Sequence, residues 1–151
     1  MERRAASDKK SVKNDLLRQR IHALAQFRYA LRRFLRFSED AARTYGITSQ
    51  QHQLLLGVAG YTGEGTATVS QLADFLQETH HSVVGLVDRA VQKGIVRREQ
   101  SEVDRRVVVI SLTASGEEIL NELSTLHEDQ AKAVAKMIPL LLKHGNSSNI
   151  S

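Results

Sequence analysis

Residues 79 to 93 combine hydrogen-bonding side chains with the apolar pattern of a helix. Apolar residues recur at the i, i+3, i+4, i+7 spacing of one buried face: Val83, Leu86, Val87 and Ala90. At about 100° per residue, the opposite face carries His81, Val84, Gly85 and Asp88, with Ser82 at its flank and His80 in the first turn. Imidazoles and hydroxyls hydrogen-bond base edges or phosphates, and a valine contacts a thymine methyl. The pattern predicts a nucleic-acid-binding helix, unless the two histidines only line a solvated first turn.

The ends of this helix carry their own signals. Thr79 is placed to cap its start, and Gly94 supplies the left-handed position at its end. The first-turn amides and the positive end of the helix dipole add affinity for phosphate. Arg89, in the last part of the helix, is a further candidate contact.

Metal and nucleophile chemistry is not expected. The chain has no cysteine, which excludes thiolate sites and thiol switches. Its histidines never stand at the i, i+4 spacing of a zinc pair on one helix: His22, His52, His80, His81, His127 and His144. Because no nucleophile, base and orienting acid form a known motif, we expect neither an enzyme nor a cofactor.

A second group of charged residues follows the helix. The β-branched runs "IVRRE" and "RVVVISL" flank the charged segment "QSEVDR", which predicts two antiparallel strands and a projecting turn. Asp104, Arg105 and Arg106 lie at this turn, within a wing at residues 99–106. Arg97 and Arg98, on the first strand, are candidates for phosphate contacts or for an ordinary solvated strand face.

The flanking sequence predicts the helices that position these groups. A stripe from 15 to 44 marks a long first helix, and "SQQHQLLLGVAG" a second one that ends at Gly60. "YTGEGTAT" reads as a loop, and Thr68 with Gln71 forms a capping box for a short third helix. Thr113 caps a last long helix, which Pro139 interrupts. The fold class is mainly α with a small β-hairpin, in one domain of 151 residues.

The order of these elements favours one architecture. Two short helices joined by about three residues, followed by a hairpin with a charged tip, are typical of a winged helix-turn-helix, whose second helix enters the DNA major groove. Helix-turn-helix pairs also serve as plain packing units. The alternative is therefore a winged-helix protein–protein interaction domain without sequence-specific DNA binding.

The residues from "VSQLADFL" to "LTASGEEIL" resemble the MarR family of multiple-antibiotic-resistance regulators. That family's pattern runs from "LA" through "VDRLEKKGLV" to "DRR" and "LTxxG", and "ITSQQHQLLLGVAG" is similar to its "LTxxQ" helix. Two features depart from it: the proline usual before the wing aspartate is absent from "SEVDRR", and the common Thr-Arg pair is Val84-Gly85. The unusual pair puts the base preference in doubt rather than the binding.

The resemblance implies that different segments of the chain have different roles. Residues 48–112 would form the DNA-binding lobe, and residues 15–44 and 114–144 the helices of an obligate homodimer. The polar ends at 1–14 and 145–151 are expected to be flexible. In the wing, the resemblance implies that Arg106 enters the minor groove and that Asp104 holds it or its neighbours in place.

The charge distribution permits a polyanionic partner. The net charge is +4, and residues 1–40 hold eleven Lys or Arg against five acids. An arginine ladder on the first helix suits either phosphates or the rim of a dimer: Arg28, Arg32, Arg33 and Arg36. With no signal peptide and no run of about 18 apolar residues, we expect a cytoplasmic location without membrane contact.

The residues and the resemblance together predict a homodimeric regulator of transcription that binds a pseudo-palindrome in double-stranded DNA. That it is a repressor is implied by the resemblance alone. If binding is switched, a small aromatic or amphipathic effector is the expected signal. Its pocket would have aromatic and apolar walls from the first and second helices: Phe27, Leu31, Phe34, Leu54, Leu55 and Val58. Simple core packing explains the same residues equally well.

Overall fold

A computed structural model describes residues 2–143 of the chain. The helices are α1 (Glu2–Thr44), α2 (Ser49–Leu56), α3 (Val69–Leu76), α4 (His80–Gln92), α5 (Ala114–Ala135) and α6 (Ile138–Lys143). A π-helical turn (Gly57–Tyr61) continues α2, and the strands are β1 (Thr66–Ala67), β2 (Val96–Gln100) and β3 (Val108–Leu112). This confirms a mainly α fold with a small antiparallel sheet.

The chain forms two compact units. Ser38–Leu126 make up one of them, which contains every element from α2 to β3. The described residues up to Phe37 and from His127 onward form the other. The predicted winged helix-turn-helix therefore lies within a single unit.

Capping residues begin the helices of the winged unit. Thr48 and Thr68 each accept a hydrogen bond from the backbone amide three residues on, and the side-chain oxygen of the glutamine there accepts one from the amide of the capping threonine. These two capping boxes satisfy amides that the first helical turn leaves unpaired. Between α3 and α4, Gln77 adopts a left-handed conformation at φ 53° and ends α3.

Glycine allows α2 and α3 to pack closely. A Cβ built at Gly57 would lie 2.7 Å from the Cδ1 atom of Phe75, so a side chain at 57 would displace that ring. Around this contact lies the core, whose fully buried members include Leu54, Leu55, Val58, Leu72, Ile110 and Leu123. Burying such side chains stabilises each by roughly 1.5–3 kcal/mol relative to exposure.

The sheet has three strands in the order β1-β3-β2, all antiparallel. The predicted hairpin is present as β2 and β3. The loop expected at 61–68 is wrong at Thr66 and Ala67, which pair with Ser111 and Ile110. A two-residue strand has no periodicity of its own, so only the tertiary pairing reveals it.

The segment "LTASG" joins the wing to α5 through backbone contacts. The Thr113 hydroxyl donates to the carbonyl of Gly94 at 2.6 Å and accepts from the amide of Gly116 at 3.1 Å. A Cβ at Gly116 would lie only 2.0 Å from the carbonyl oxygen of Ile95. The threonine and the glycine therefore hold the start of α5 against the residue that precedes β2.

In the other unit, α1 begins earlier than the sequence indicated. Its helical backbone extends back to Glu2 rather than to Asp15, so residues 2–14, expected to be flexible, are helical. Their polar composition lacks the apolar stripe that reveals a helix. Pro139 lies in the first turn of α6, after the break that follows Ala135, as predicted. Residues 145–151 lie outside the described part of the chain.

Within the described residues, no helix is both long and apolar enough to span a membrane.

Candidate nucleic-acid interface

Helix α4 presents the face that the sequence predicted. Val83, Leu86, Val87 and Ala90 are all buried, and Thr79 caps the helix by accepting from the amide of Ser82 at 3.2 Å. The buried stripe fixes the rotation of α4 about its axis. The opposite surface is therefore the one available to a partner.

The first turn of α4 is open to solvent. His80, His81 and Ser82 are exposed there, beside the amide end of the helix. Val84 and Gly85 are half-buried one turn further on. The turn offers imidazole and hydroxyl groups and a positive dipole end on a single surface, and such groups bind phosphates and base edges.

Arg89 lies over Gly85 on this helix. A Cβ built at Gly85 would approach the Nη1 atom of Arg89 to 3.4 Å. Long helical side chains lean toward the N-terminus, so a residue four positions later covers the earlier one. The absent side chain at 85 is thus replaced, in space, by the guanidinium from 89.

The structure gives Arg98 a partner that the sequence analysis did not identify. Its Nη2 atom donates to Oδ1 of Asp88, on the outward side of α4. Arg97 pairs with Glu99 of its own strand, with Nε and Oε2 3.3 Å apart. Both arginines already neutralise carboxylates, which weakens their assignment as phosphate contacts. The sequence did not indicate this ion pair, because Asp88 and Arg98 are ten positions apart and meet only through the way β2 lies beside α4.

The wing is the loop of residues 101–107 between β2 and β3. The amide of Ser101 donates to the carbonyl of Val107 at 2.9 Å, and Val103 is 97% exposed at the tip. Arg105 and Arg106 are both exposed. The turn therefore projects two cations beyond the sheet.

Asp104 holds Arg106 through three hydrogen bonds. The backbone amide and Nε of Arg106 donate to Oδ1 at 3.1 Å each, and Nη2 donates to Oδ2 at 3.2 Å. These bonds lower the pKa of the Asp104 carboxyl, and the side-chain bonds to Arg106 contribute more to this than the backbone bond does. The contact implied by the family resemblance is present, while the Arg106 side chain stays 90% exposed. Its entry into a minor groove stays a prediction.

The residues expected to line an effector pocket fall into two groups. Leu54, Leu55 and Val58 are completely buried within the winged unit. Phe27, Leu31 and Phe34 are half-buried on α1, in the other unit. A pocket formed by all six stays a prediction.

The sequence similarity to known proteins lies in the winged unit. A family model described as "MarR family" matches residues 45–107. The "Uncharacterized HTH-type transcriptional regulator YfiV" of Bacillus subtilis (strain 168) is 39% identical over 59 residues, which are 39% of this chain and 37% of the relative. The match thus spans little more than a third of that relative's length.

Solved structures share the fold over a longer stretch. The S. aureus MepR–DNA complex superposes with a TM-score of 0.61 at 20% identity, covering 73% of this chain and 78% of that one. Wild-type apo MarR from E. coli gives 0.61 at 22%, covering 79% and 93%. A mutant MarR from E. coli complexed with operator DNA gives 0.58 at 24%, covering 77% and 88%. The family model thus matches the winged unit from Tyr45 to the wing, and the solved structures share the winged helix-turn-helix fold around it.

Proposed function

We propose that this chain is a transcriptional regulator that binds duplex DNA with α4 in the major groove and the wing in the adjacent minor groove. The observation that carries the proposal is the exposed first turn of α4, where His80, His81 and Ser82 stand at the capped amide end. The similar structures include a MepR–DNA complex and a MarR complex with operator DNA. Their likeness supports this mode of binding.

The first turn of α4 suits the major groove because that groove admits an α-helix. Its imidazoles and hydroxyl can pair with base edges, and the amide end of the helix can bind a phosphate. Variation at His81 or Ser82 should therefore change which bases are preferred.

The wing suits the minor groove because Asp104 restrains Arg106 before binding. A narrow groove concentrates negative potential and attracts an inserted arginine without requiring particular base contacts. Three hydrogen bonds hold the arginine in a defined direction, which reduces the entropy lost on insertion.

A homodimer is supported by apolar side chains left exposed on the terminal helices. They are more than half exposed: Leu17 at 54%, Ile21 at 59%, Leu24 at 55% and Leu142 at 66%. Exposed apolar side chains in such numbers favour association, and a two-fold partner offers the same surface in return. Such a dimer would bind a pseudo-palindrome whose half-sites lie about 10 base pairs apart, and it would repress by occluding a promoter.

An effector site is supported by a cavity of about 390 Å³ between α1 and α5, within one unit. Tyr29, Arg33 and Met137 line it, so it offers aromatic, cationic and apolar groups to a small amphipathic anion. Aromatic carboxylates should raise the melting temperature and release DNA. If none of the aromatic carboxylates tested raises the melting temperature or releases DNA, the proposed effector site is wrong.

The decisive experiment selects bound sequences from a random duplex pool and then titrates binding with salt. True DNA binding should weaken steeply between about 50 and 200 mM salt, with a log–log slope of about 0.9 per phosphate neutralised. A protein–protein interaction domain would select no sequence and show no such slope. That result would overturn the proposal.

Arg106→Ala provides the matched test of the wing. It should weaken binding to every sequence and lower the salt slope, because it removes a cation from the DNA. Lys132→Ala removes the same charge from α5, where Lys132 pairs with Glu128, and should leave the slope unchanged. Equal effects from both variants would show that net charge, rather than the wing, controls binding.

A further inference from the structure

The middle of the outward face of α4 lacks a side chain at one position. Position 85 is glycine, where the MarR pattern that this chain resembles commonly has the arginine of a Thr-Arg pair. The glycine is not required by packing against another element, because the nearest atom that a Cβ would meet belongs to Arg89 of the same helix. The space above Gly85 is therefore occupied by the guanidinium from the next turn.

This guanidinium keeps its donors available. Across the described part of the chain, Arg89 takes part in no hydrogen bond and no ion pair, although carboxylates lie near it in sequence. The adjacent Asp88 is occupied by Arg98 instead. Arg89 is thus an exposed arginine on the candidate DNA face whose planar fork is not already paired.

We propose that Arg89 reads a guanine in the major groove opposite Gly85 and is a specificity-determining residue. The inference rests on the proposed function. The arginine fork matches the O6 and N7 acceptors of guanine, a pairing that lysine cannot form with the same planar geometry. Gly85 contributes by leaving room for the fork to lie over the centre of the helix.

The geometry at Gly85 predicts a graded response to substitution. A Cβ at 3.4 Å from Nη1 is in ordinary contact, so Gly85→Ala should keep the base preference. A longer side chain would occupy the place of the guanidinium, so Gly85→Met should lose the preference. The two variants share a substitution site and differ only in side-chain length.

The competing role for Arg89 is a phosphate contact, and it makes a different prediction. A phosphate contact would affect all sequences equally and lower the salt slope by about 0.9 per protomer. A guanine contact would be felt at one symmetric base pair, where a bidentate pair discriminates by roughly 5- to 150-fold.

The experiment measures the affinity of the wild type and of Arg89→Lys, Arg89→Gln and Arg89→Ala for the selected site and for its single-base variants. We expect Arg89→Ala to lose discrimination at one guanine, Arg89→Gln to prefer adenine there, and Arg89→Lys to keep a preference for guanine. Arg89→Lys should keep the salt slope. Arg97→Ala, on β2, should leave the discrimination intact and serves as the control.

Two outcomes would overturn the inference. Either a uniform loss at every position or unchanged base preferences in Arg89→Ala would show that Arg89 does not read a base. Failure of the wild type to select any sequence would instead overturn the proposed function on which the inference rests. The wild-type arm therefore separates the two failures.

Discussion

Replacing Gly116 by alanine tests how the wing is attached to α5. A Cβ at this position would lie 2.0 Å from the carbonyl oxygen of Ile95 and 3.0 Å from its carbonyl carbon. These are backbone atoms and cannot rotate away. The same carbonyl accepts the amide of Thr113 at 3.2 Å, and the Ile95 side chain is only 1% exposed. Neither side of the contact is free to move.

The size of the clash sets the expected cost. Close carbon–oxygen contacts in proteins lie at about 3.3–3.6 Å, so α5 and the backbone at Ile95 must separate by roughly 1.3 Å. Overpacking typically costs about 1–3 kcal/mol, and a backbone shift of this size belongs at the upper end. Alanine is favoured over glycine inside a helix by up to about 1 kcal/mol, which offsets part of the cost. We expect Gly116→Ala to lower the free energy of unfolding by about 2–3 kcal/mol.

Urea unfolding followed by circular dichroism measures this change, with Gly60→Ala as the control. No atom lies within 4 Å of a Cβ built at Gly60, so that variant should be neutral or slightly stabilised. Amide exchange at Ile95 and Thr113 reports whether the loss is local to the joint. If the free energy of unfolding of Gly116→Ala lies within about 0.5 kcal/mol of the wild-type value, the close approach derived from the structure is incorrect.

Three further predictions concern polar contacts in the winged unit. Thr113→Val keeps the side-chain shape but loses a donated and an accepted hydrogen bond, so it should cost about 1–2 kcal/mol in urea unfolding; full stability would contradict the capping role. The lowered pKa of Asp104 means that its bonds to Arg106 persist as pH falls through the ordinary aspartate value of 3.8 and are lost only below it. The NMR chemical shift of the Asp104 carboxyl carbon should follow this titration, and Arg106→Ala should return the pKa toward 3.8. An unchanged pKa in that variant would show that Arg106 does not cause the lowering. Tyr45 donates to Glu122 at 2.9 Å, and this bond raises the pKa of the phenol, so its absorbance should titrate above 10.0 and move back toward that value in Glu122→Gln. Titration of Tyr45 at its ordinary value in the wild type would show that the bond does not form in solution.

Local sequence determined most of the elements that carry the candidate site. The caps at Thr48, Thr68 and Thr79 and the buried stripe of α4 depend on residues three or four positions apart. Contacts within one helical turn join residues that are close in the sequence, so the pattern alone predicted them. The hairpin was predicted for a similar reason, because its two β-branched runs are adjacent in the chain.

The tertiary structure decided the contacts between elements. Arg98 pairs with Asp88 because of the way β2 lies beside α4. Thr66 pairs with Ser111, so a segment expected to be a loop contains a short strand. Each of these outcomes depends on distances between segments that are separate in the chain, and those distances are set by how the core packs rather than by any local spacing.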